Sequence, residues 1–262
     1  MKGGYDPAYF ETLFLVEEKH FWFQARNRAI AESTRRVVAG MAPGYRVLEV
    51  GCGTGRVLRL LIRICRRGTV VGMDLFGEAL IYARRRITSP LIQGDINAPP
   101  FTASFDLIGL FDVLEHLPND LQALRNLKGM LRENGLLLLT VPAYPMLWSY
   151  FDEAARHCRR YRLCDLKRRL DETGFDVEYS TPFMMSLFPL LWIGRRFFLP
   201  RRRGSKRPQN PSPAERAIGE LRPRPLVDKG ISFLLDMEGR WLARGHTLPL
   251  GTSLLIVAKK RG

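Results

Sequence analysis

One stretch constrains this chain more than any other. The apolar run Arg46-Val47-Leu48-Glu49-Val50 passes directly into Gly51-Cys52-Gly53-Thr54-Gly55, and a helical pattern begins at once. A strand that ends in a glycine turn and feeds a helix is the first turn of a nucleotide-binding α/β unit. Glycine is required there because the turn is tight and the ligand must approach bare backbone, which a Cβ would block. About twenty residues later the run Thr69-Val70-Val71-Gly72-Met73-Asp74 ends in an acid, the second half of the same pattern.

The rest of the chain agrees with that reading. From Tyr45 onward, apolar runs at 46–50, 69–74, 90–93, 105–111 and 136–141 alternate with helical patterns at 57–67, 77–87, 118–132 and 163–173. Buried strands alternating with helices imply a parallel sheet with right-handed crossovers, an α/β fold. Upstream, Tyr9, Phe10, Leu13, Phe14, Val16, the run His20-Phe21-Trp22-Phe23 and Ile30 recur at helical spacing and predict helix over 7–40. Downstream the order changes, because a strand at Phe175 to Tyr179 is separated from the last one, Ser253 to Ala258, by an insert. The insert opens with the apolar Phe183 to Leu199, broken by Pro189 and Arg195-Arg196. It continues as a basic, proline-rich stretch from Pro200 to Pro225, and becomes helical again from Leu226 to Arg244. The expected organisation is an N-terminal helical lid at 1–44, a core at 45–182, a helical insertion at 183–249 and a final core strand at 250–262.

Composition narrows the functional classes. With 262 residues, 46% hydrophobic and 26% charged, the chain builds a real core, and wholesale disorder is excluded. The formal charge of +15, carried chiefly by arginine, attracts anionic partners. Cys52, Cys65, Cys158 and Cys164 form no Cys-x-x-Cys pair, so neither a zinc ribbon nor a disulfide framework is expected, and a reducing cytosol is the simple reading. The N-terminal residues lack the basic start and apolar run of a signal peptide, and no stretch of about 18 uncharged apolar residues occurs. A cytoplasmic protein is expected, with membrane contact at the periphery only.

The ligand of the glycine turn follows from charge. A dinucleotide fingerprint wants a third glycine where this chain has Arg56, and it sets a pyrophosphate against the helix N-terminus, close to Glu49. A ligand that ends in an amino acid beside a sulfonium turns the same carboxylate into an asset. Electrostatics therefore favours S-adenosylmethionine.

Here a resemblance becomes visible. The strings Val47-Leu48-Glu49-Val50-Gly51-Cys52-Gly53-Thr54-Gly55, Gly72-Met73-Asp74, Gly94-Asp95-Ile96 and Phe111-Asp112-Val113-Leu114-Glu115-His116-Leu117 resemble class I S-adenosylmethionine-dependent methyltransferases over residues 45–180. The resemblance implies a Rossmann-like, doubly wound seven-stranded sheet whose last strand, 251–260, inserts antiparallel between the fifth and sixth. It also implies that Gly51, Cys52 and Gly53 line the methionine portion of the cofactor, with Asp74 on the ribose hydroxyls and Leu75 on the adenine. Asp95 and Ile96 would read the adenine edge, and Phe111 would lie beneath the sulfonium. The segment His20 to Arg26 is similar to the lid of ubiquinone-type O-methyltransferases, which makes Arg26 the candidate for the cofactor's carboxylate. Physically, a carboxylate at a strand's C-terminal end suits a vicinal diol, though loop acids and helix caps use Asp in the same places.

The acceptor side is less determined. Asp112, Glu115 and His116 at i, i+3, i+4 share one face if helical. Three readings stay open: a capping box, a general base at His116, or a divalent cation held as in the resembled quinone-ring enzymes, for which oxygen and imidazole ligands suit Mg²⁺ or Zn²⁺. Aromatic residues from Tyr144 to Phe151 after the fifth strand suggest an acceptor pocket. In the following Arg156-His157-Cys158-Arg159-Arg160-Tyr161, His157 and Tyr161 would meet on one helical turn as further catalytic candidates, and the arginines would hold an anion. This string resembles a type 11 or type 12 methyltransferase branch.

Methyl transfer asks mainly for alignment and exclusion of water, since the sulfonium is already activated, so no metal is required. The expected reaction is methylation of a small or lipid-like acceptor, anionic ones included, with oxygen favoured over nitrogen or carbon and S-adenosylhomocysteine as product. The apolar 183–199 segment with its arginines could lie on a membrane surface. Two alternatives are an RNA methyltransferase using the basic surface, which lacks an appended RNA-binding signature, and a binding protein of the same fold without turnover.

Overall fold

Leucine- and valine-rich runs bounded by amphipathic helices can bury both faces only as a sheet covered on two sides. The computed structural model describes residues 9–193 and 225–262. Its strands are β1 (Arg46–Val50), β2 (Thr69–Asp74), β3 (Leu91–Gln93), β4 (Phe105–Phe111), β5 (Leu131–Pro142), β6 (Phe175–Phe183) and β7 (Ser253–Lys260). They form a seven-stranded sheet of order β3-β2-β1-β4-β5-β7-β6. β7 runs antiparallel to both β5 and β6, placing the last strand between the fifth and sixth as expected.

The alternation of side chains builds two cores. On one face Ile108, Leu110, Leu137, Leu139, Leu254 and Ile256 form a single cluster, and on the other Leu107, Leu138, Leu255 and Val257 join a second. Each fully buried leucine contributes about 1.5–3 kcal/mol, so a one-residue slip in register would be costly on both faces at once.

The N-terminal segment departs from one continuous helix. It forms α1 (Tyr9–Val16) and α2 (Phe21–Ala39). His20 caps α2 by accepting a hydrogen bond from the Trp22 N–H at 3.3 Å. The break turns Glu17 inward, where it is buried and pairs with Arg86 and the Thr54 hydroxyl. The second turn of α1 packs on α4 (Gly77–Arg84), with the Phe14 and Tyr82 rings 5.4 Å apart.

The remaining helices are α3 (Arg56–Ile64), α5 (Asp120–Met130), α6 (Tyr150–Ala154), α7 (Leu163–Glu172), α8 (Leu187–Ile193) and α9 (Pro225–Ala243). Phe183, Met184 and Leu187 are buried in the second core, so the start of the apolar 183–199 segment serves packing. Its end, 194–199, and the arginine-rich run at 195–207 lie outside the described residues. Among the described residues no helix is long and apolar enough to cross a membrane.

Candidate active site

A cavity of about 470 Å³ opens at the C-terminal ends of β1, β4 and β5, where open α/β sheets hold their ligands. Its floor begins with the glycine turn. The Gly51 and Cys52 N–H groups donate to the Met73 carbonyl at 2.8 and 3.1 Å, tying the turn to the end of β2. Gly51 sits at φ +72°, and a Cβ there would come within 2.4 Å of a Val113 methyl, so glycine is required by both conformation and space. Gly53 also has positive φ, with open space where a side chain would stand.

Glu49 lines this end of the cavity. It is buried beside Arg26, and its Oε2 has no hydrogen-bond partner. Burial raises its carboxyl well above the ordinary carboxylate range, opposed by the Arg26 charge and reinforced by Asp74 and Glu17. Cys52 is pushed well up by burial and by the Glu49 and Asp74 charges, so it is a thiol packed on the turn rather than a thiolate nucleophile.

Asp74 is also buried, but its oxygens are engaged. Oδ2 accepts from the Gly53 N–H at 2.7 Å, and Oδ1 accepts from the Phe76 N–H at 2.9 Å. Burial raises its carboxyl, against these hydrogen bonds. Asp74, Leu75, Asp95 and Ile96 do not line the cavity. Leu75 is exposed, Asp95 accepts from the N–H and side-chain amide of Asn97, and Ile96 belongs to the first core. α1 packs on this corner, with the Phe10 and Phe76 rings 5.8 Å apart.

The other end of the cavity gathers Asp112, Glu115, His116 and His157. The expected helical face does not form, because Asp112 has φ +53° and only a single 3₁₀ turn, Leu114–His116, follows. The capping box is likewise absent. Asp112 is taken up by the Arg26 guanidinium and the Thr140 hydroxyl, while α5 is capped by Asn119, which accepts from the Gln122 N–H. Arg26 also donates to the Phe111 carbonyl at 2.9 Å, so both its hydrogen bonds go to the end of β4.

Glu115 is fully buried with neither oxygen hydrogen-bonded. Burial and the Asp112 charge raise it well above the ordinary range. Burial, then the neighbouring His157, lowers His116 to about 3, so its imidazole is neutral. Ligand atoms of Glu115, His116 and His157 lie within 4.8 Å of one another, a spacing that a divalent cation could use.

His157 is oriented by a residue that the sequence analysis did not single out. Its Nδ1 lies 2.9 Å from Asp152 Oδ1, and its Nε2 lies 3.9 Å from Glu115 Oε1. Asp152 is fully buried at the start of α6, where the Ser149 N–H donates to it at 2.8 Å and Arg160 Nε at 2.6 Å. Burial alone would raise Asp152, but His157 and Arg160 together bring it below its ordinary value, leaving an anion facing Nδ1. The detectable signal was Ser149-x-x-Asp152, a capping-box spacing that the structure contains.

Tyr161 does not meet His157 on a helical turn. Residues 156–162 are not helical, and Tyr161 instead pairs with Ala143 in a bridge, its N–H donating to the Pro142 carbonyl at 2.9 Å. Its ring is buried, and its hydroxyl donates to Asp120 Oδ2 at 2.9 Å, away from the cavity. Burial and Asp120 raise it further from ionisation. Arg159 is held by Asp120 and Arg160 by Asp152, so the expected anion clamp is occupied internally. Of the aromatic run, Phe151 reaches the cavity, whereas Trp148 is exposed and Tyr144 packs on Phe188.

Residues 19–180 match the model of a family described as a methyltransferase domain. The chain belongs to that family. It is 28% identical over 167 residues to a Mycolicibacterium smegmatis protein named "Probable S-adenosylmethionine-dependent methyltransferase", covering 62% of each chain. It is 31% identical over 108 residues to the ubiquinone biosynthesis O-methyltransferase of Glaesserella parasuis, covering 37% of this chain and 45% of that one. This methyltransferase therefore spans less than two thirds of the length of those relatives. The fold matches a Haemonchus contortus phosphoethanolamine N-methyltransferase 2 solved with phosphomonomethylethanolamine and S-adenosylhomocysteine. That match has a TM-score of 0.57 at 18% identity and covers 90% of this chain and 53% of that one. The chain is thus a methyltransferase domain with the sheet of that fold, and its site has features that suit S-adenosylmethionine. The unpartnered Glu49 oxygen suits an ammonium, and the turn at Gly51 and Gly53 presents bare backbone.

Proposed function

We infer that this methyltransferase transfers a methyl group to the hydroxyl of a small or lipid-like acceptor. The observation that carries the reading is the buried Asp152 holding His157 at the cavity, opposite the glycine turn. With Nδ1–H donated to the Asp152 carboxylate, the lone pair of His157 resides on Nε2, the atom that faces Glu115 and receives the proton of the attacking hydroxyl. An oxygen nucleophile needs such a base, and the resulting imidazolium is stabilised by the buried anion behind it.

S-adenosylmethionine supplies the methyl group as an activated sulfonium. Glu49 would hold its ammonium and Arg26 its carboxylate, and Gly51, Cys52, Gly53 and Phe111 would line its methionine portion. The resemblance assigns the ribose hydroxyls to Asp74 and the adenine to Leu75, Asp95 and Ile96, which lie outside the cavity. In that role α1 is the lid over the adenosine corner, and Glu17 is its latch on Thr54 and Arg86. His116 stays neutral beside His157 and orients the acceptor. Asp112, Glu115 and the two histidines make the acceptor end selective for hydrogen-bonding groups. The ubiquinone-pathway relative is an O-methyltransferase by name, which supports oxygen as the target atom.

The test is calorimetric titration with S-adenosylhomocysteine, followed by transfer of labelled methyl to phenols, quinols, isoprenoid alcohols and RNA. Wild type binds at micromolar concentration, and Asp74→Ala weakens binding at least about a hundredfold through loss of the diol's bidentate acceptor. Methyl transfer to RNA alone would replace this reading with the nucleic-acid one.

A further inference from the structure

α9 carries a surface that the methyl-transfer site does not use. Its inner side is fully committed. Leu235 and Leu242 are buried in the second core, Glu238 accepts from the Met185 and Ser186 N–H groups at 2.8 and 2.6 Å, and Asp236 pairs with Arg28. Its outer side is apolar: Phe233 is 66% exposed, Met237 55%, Leu234 48% and Trp241 47%. At 100° per residue these four share an arc of about 120° with Arg240, and Arg244 follows directly after the helix; both arginines are exposed. From Gly230 to Ala243 the helix has only two acids: Glu238, buried on internal partners, and Asp236, neutralised by Arg28 in a partly exposed ion pair. The outer arc is therefore apolar and cationic, without a compensating negative charge.

We propose that this face of α9 docks on an anionic membrane surface, the four apolar side chains entering the interface and Arg240 and Arg244 meeting lipid headgroups. Large apolar side chains in one arc with cations beside them are the pattern of an interfacial helix, whereas RNA would not repay exposure of Phe233 and Met237. A second copy of the same face would bring Arg240 and Arg244 against their own kind, which opposes self-association. The sequence adds charge in the same sense, since 194–224, which leads into α9, has ten basic side chains against two acidic ones. α9 is also coupled to the cavity walls. Glu238 holds the residue before Leu187, which lines the cavity, and Arg28 lies two positions from Arg26. Docking there brings the methyltransferase to a lipid-borne acceptor. That consequence rests on the proposed reaction, while the docking itself does not.

The full chain is sedimented with vesicles of phosphatidylcholine, with and without phosphatidylglycerol, at low and high salt. Binding is expected only to the vesicles that contain phosphatidylglycerol, and it weakens with salt. A variant combining Phe233→Ser, Met237→Ser and Trp241→Ser should lower the bound fraction at least about tenfold while binding S-adenosylhomocysteine as wild type does. Arg240→Ala with Arg244→Ala should lower it less and reduce the salt dependence. The proposal is overturned if wild type ignores both vesicles or if the triple variant binds as wild type does. It is also overturned if wild type is a dimer in solution that the triple variant dissociates without any vesicle binding. Each of these outcomes leaves the methyl-transfer reading intact, because none of these side chains lines the cavity.

Discussion

The two ends of the cavity are built from opposite materials. At the glycine end one continuous segment, the end of β1 and the turn after it, provides the floor, and its shape is fixed by positive φ and by backbone hydrogen bonds to Met73. At the histidine end the groups come from separate loops after β4 and β5 and from the start of α6, and they are held by side-chain pairs such as Asp152 with His157 and Arg26 with Asp112. The first end is a backbone surface with one unpartnered carboxylate, suited to a ligand shared by many enzymes. The second is a side-chain network in which burial shifts protonation, suited to one particular acceptor.

The largest test of that division is His157→Gln. If the histidine end serves only the acceptor, kcat falls by about 10²–10⁴ while affinity for S-adenosylhomocysteine stays within about twofold of wild type. Equal losses in cofactor affinity and turnover would erase the distinction between the ends.

Acid stability comes next. His116 has a folded-state pKa of about 3 because of burial and His157, below its unfolded value of 6.5. Its contribution is therefore fully present above about pH 6.5 and is lost as pH falls from there toward 3, by at most about 5 kcal/mol at 1.36 kcal/mol per unit. Thermal melts from pH 7 to 4 should show this loss in wild type and a flatter profile in His116→Gln. Identical slopes would mean that the imidazole accepts its proton without opening the site.

A smaller effect is expected for Asp152→Asn. The Asn oxygen can still accept from His157 and Arg160, but its NH2 then faces the Ser149 N–H and the imidazolium is no longer favoured, so turnover falls about tenfold or more and its pH profile moves, with cofactor affinity unchanged. A loss of folding in place of a shifted profile would assign Asp152 to the capping of α6 alone.

The smallest signal belongs to Glu49. Burial keeps it well above the usual carboxylate range in the free protein, and an arriving ammonium favours its ionised form. Binding should then release up to about one proton, and affinity should rise with pH through that raised value. Calorimetry in buffers of different ionisation enthalpy measures this, and heats independent of buffer would show that Glu49 does not change state.

Much of the fold was legible in the residues. Near-continuous apolar runs in β4, β5 and β7 announce strands buried on both faces, and the order of runs and helices announces the parallel sheet. The helix break before His20 was not legible, because the apolar spacing of 7–40 continues across it. At the break Glu17 pairs with Arg86 and Thr54, residues with no sequence relation to it. Glu49 and the glycine turn could be found because their signal is local. Asp152 could have been found through its capping spacing, but its bond to His157 could not.

By itself, then, the sequence determined the α/β class, the glycine turn and the acids at the ends of β1 and β2. These follow from backbone preference and alternation, which act over a few residues. Tertiary structure alone decided that Tyr161 belongs to Asp120, 41 positions away, and that Arg26 belongs to Asp112, 86 positions away. Such pairings depend on which loops the sheet order brings to one end. The burial that raises Glu115 and lowers His116 exists only once those loops are packed together.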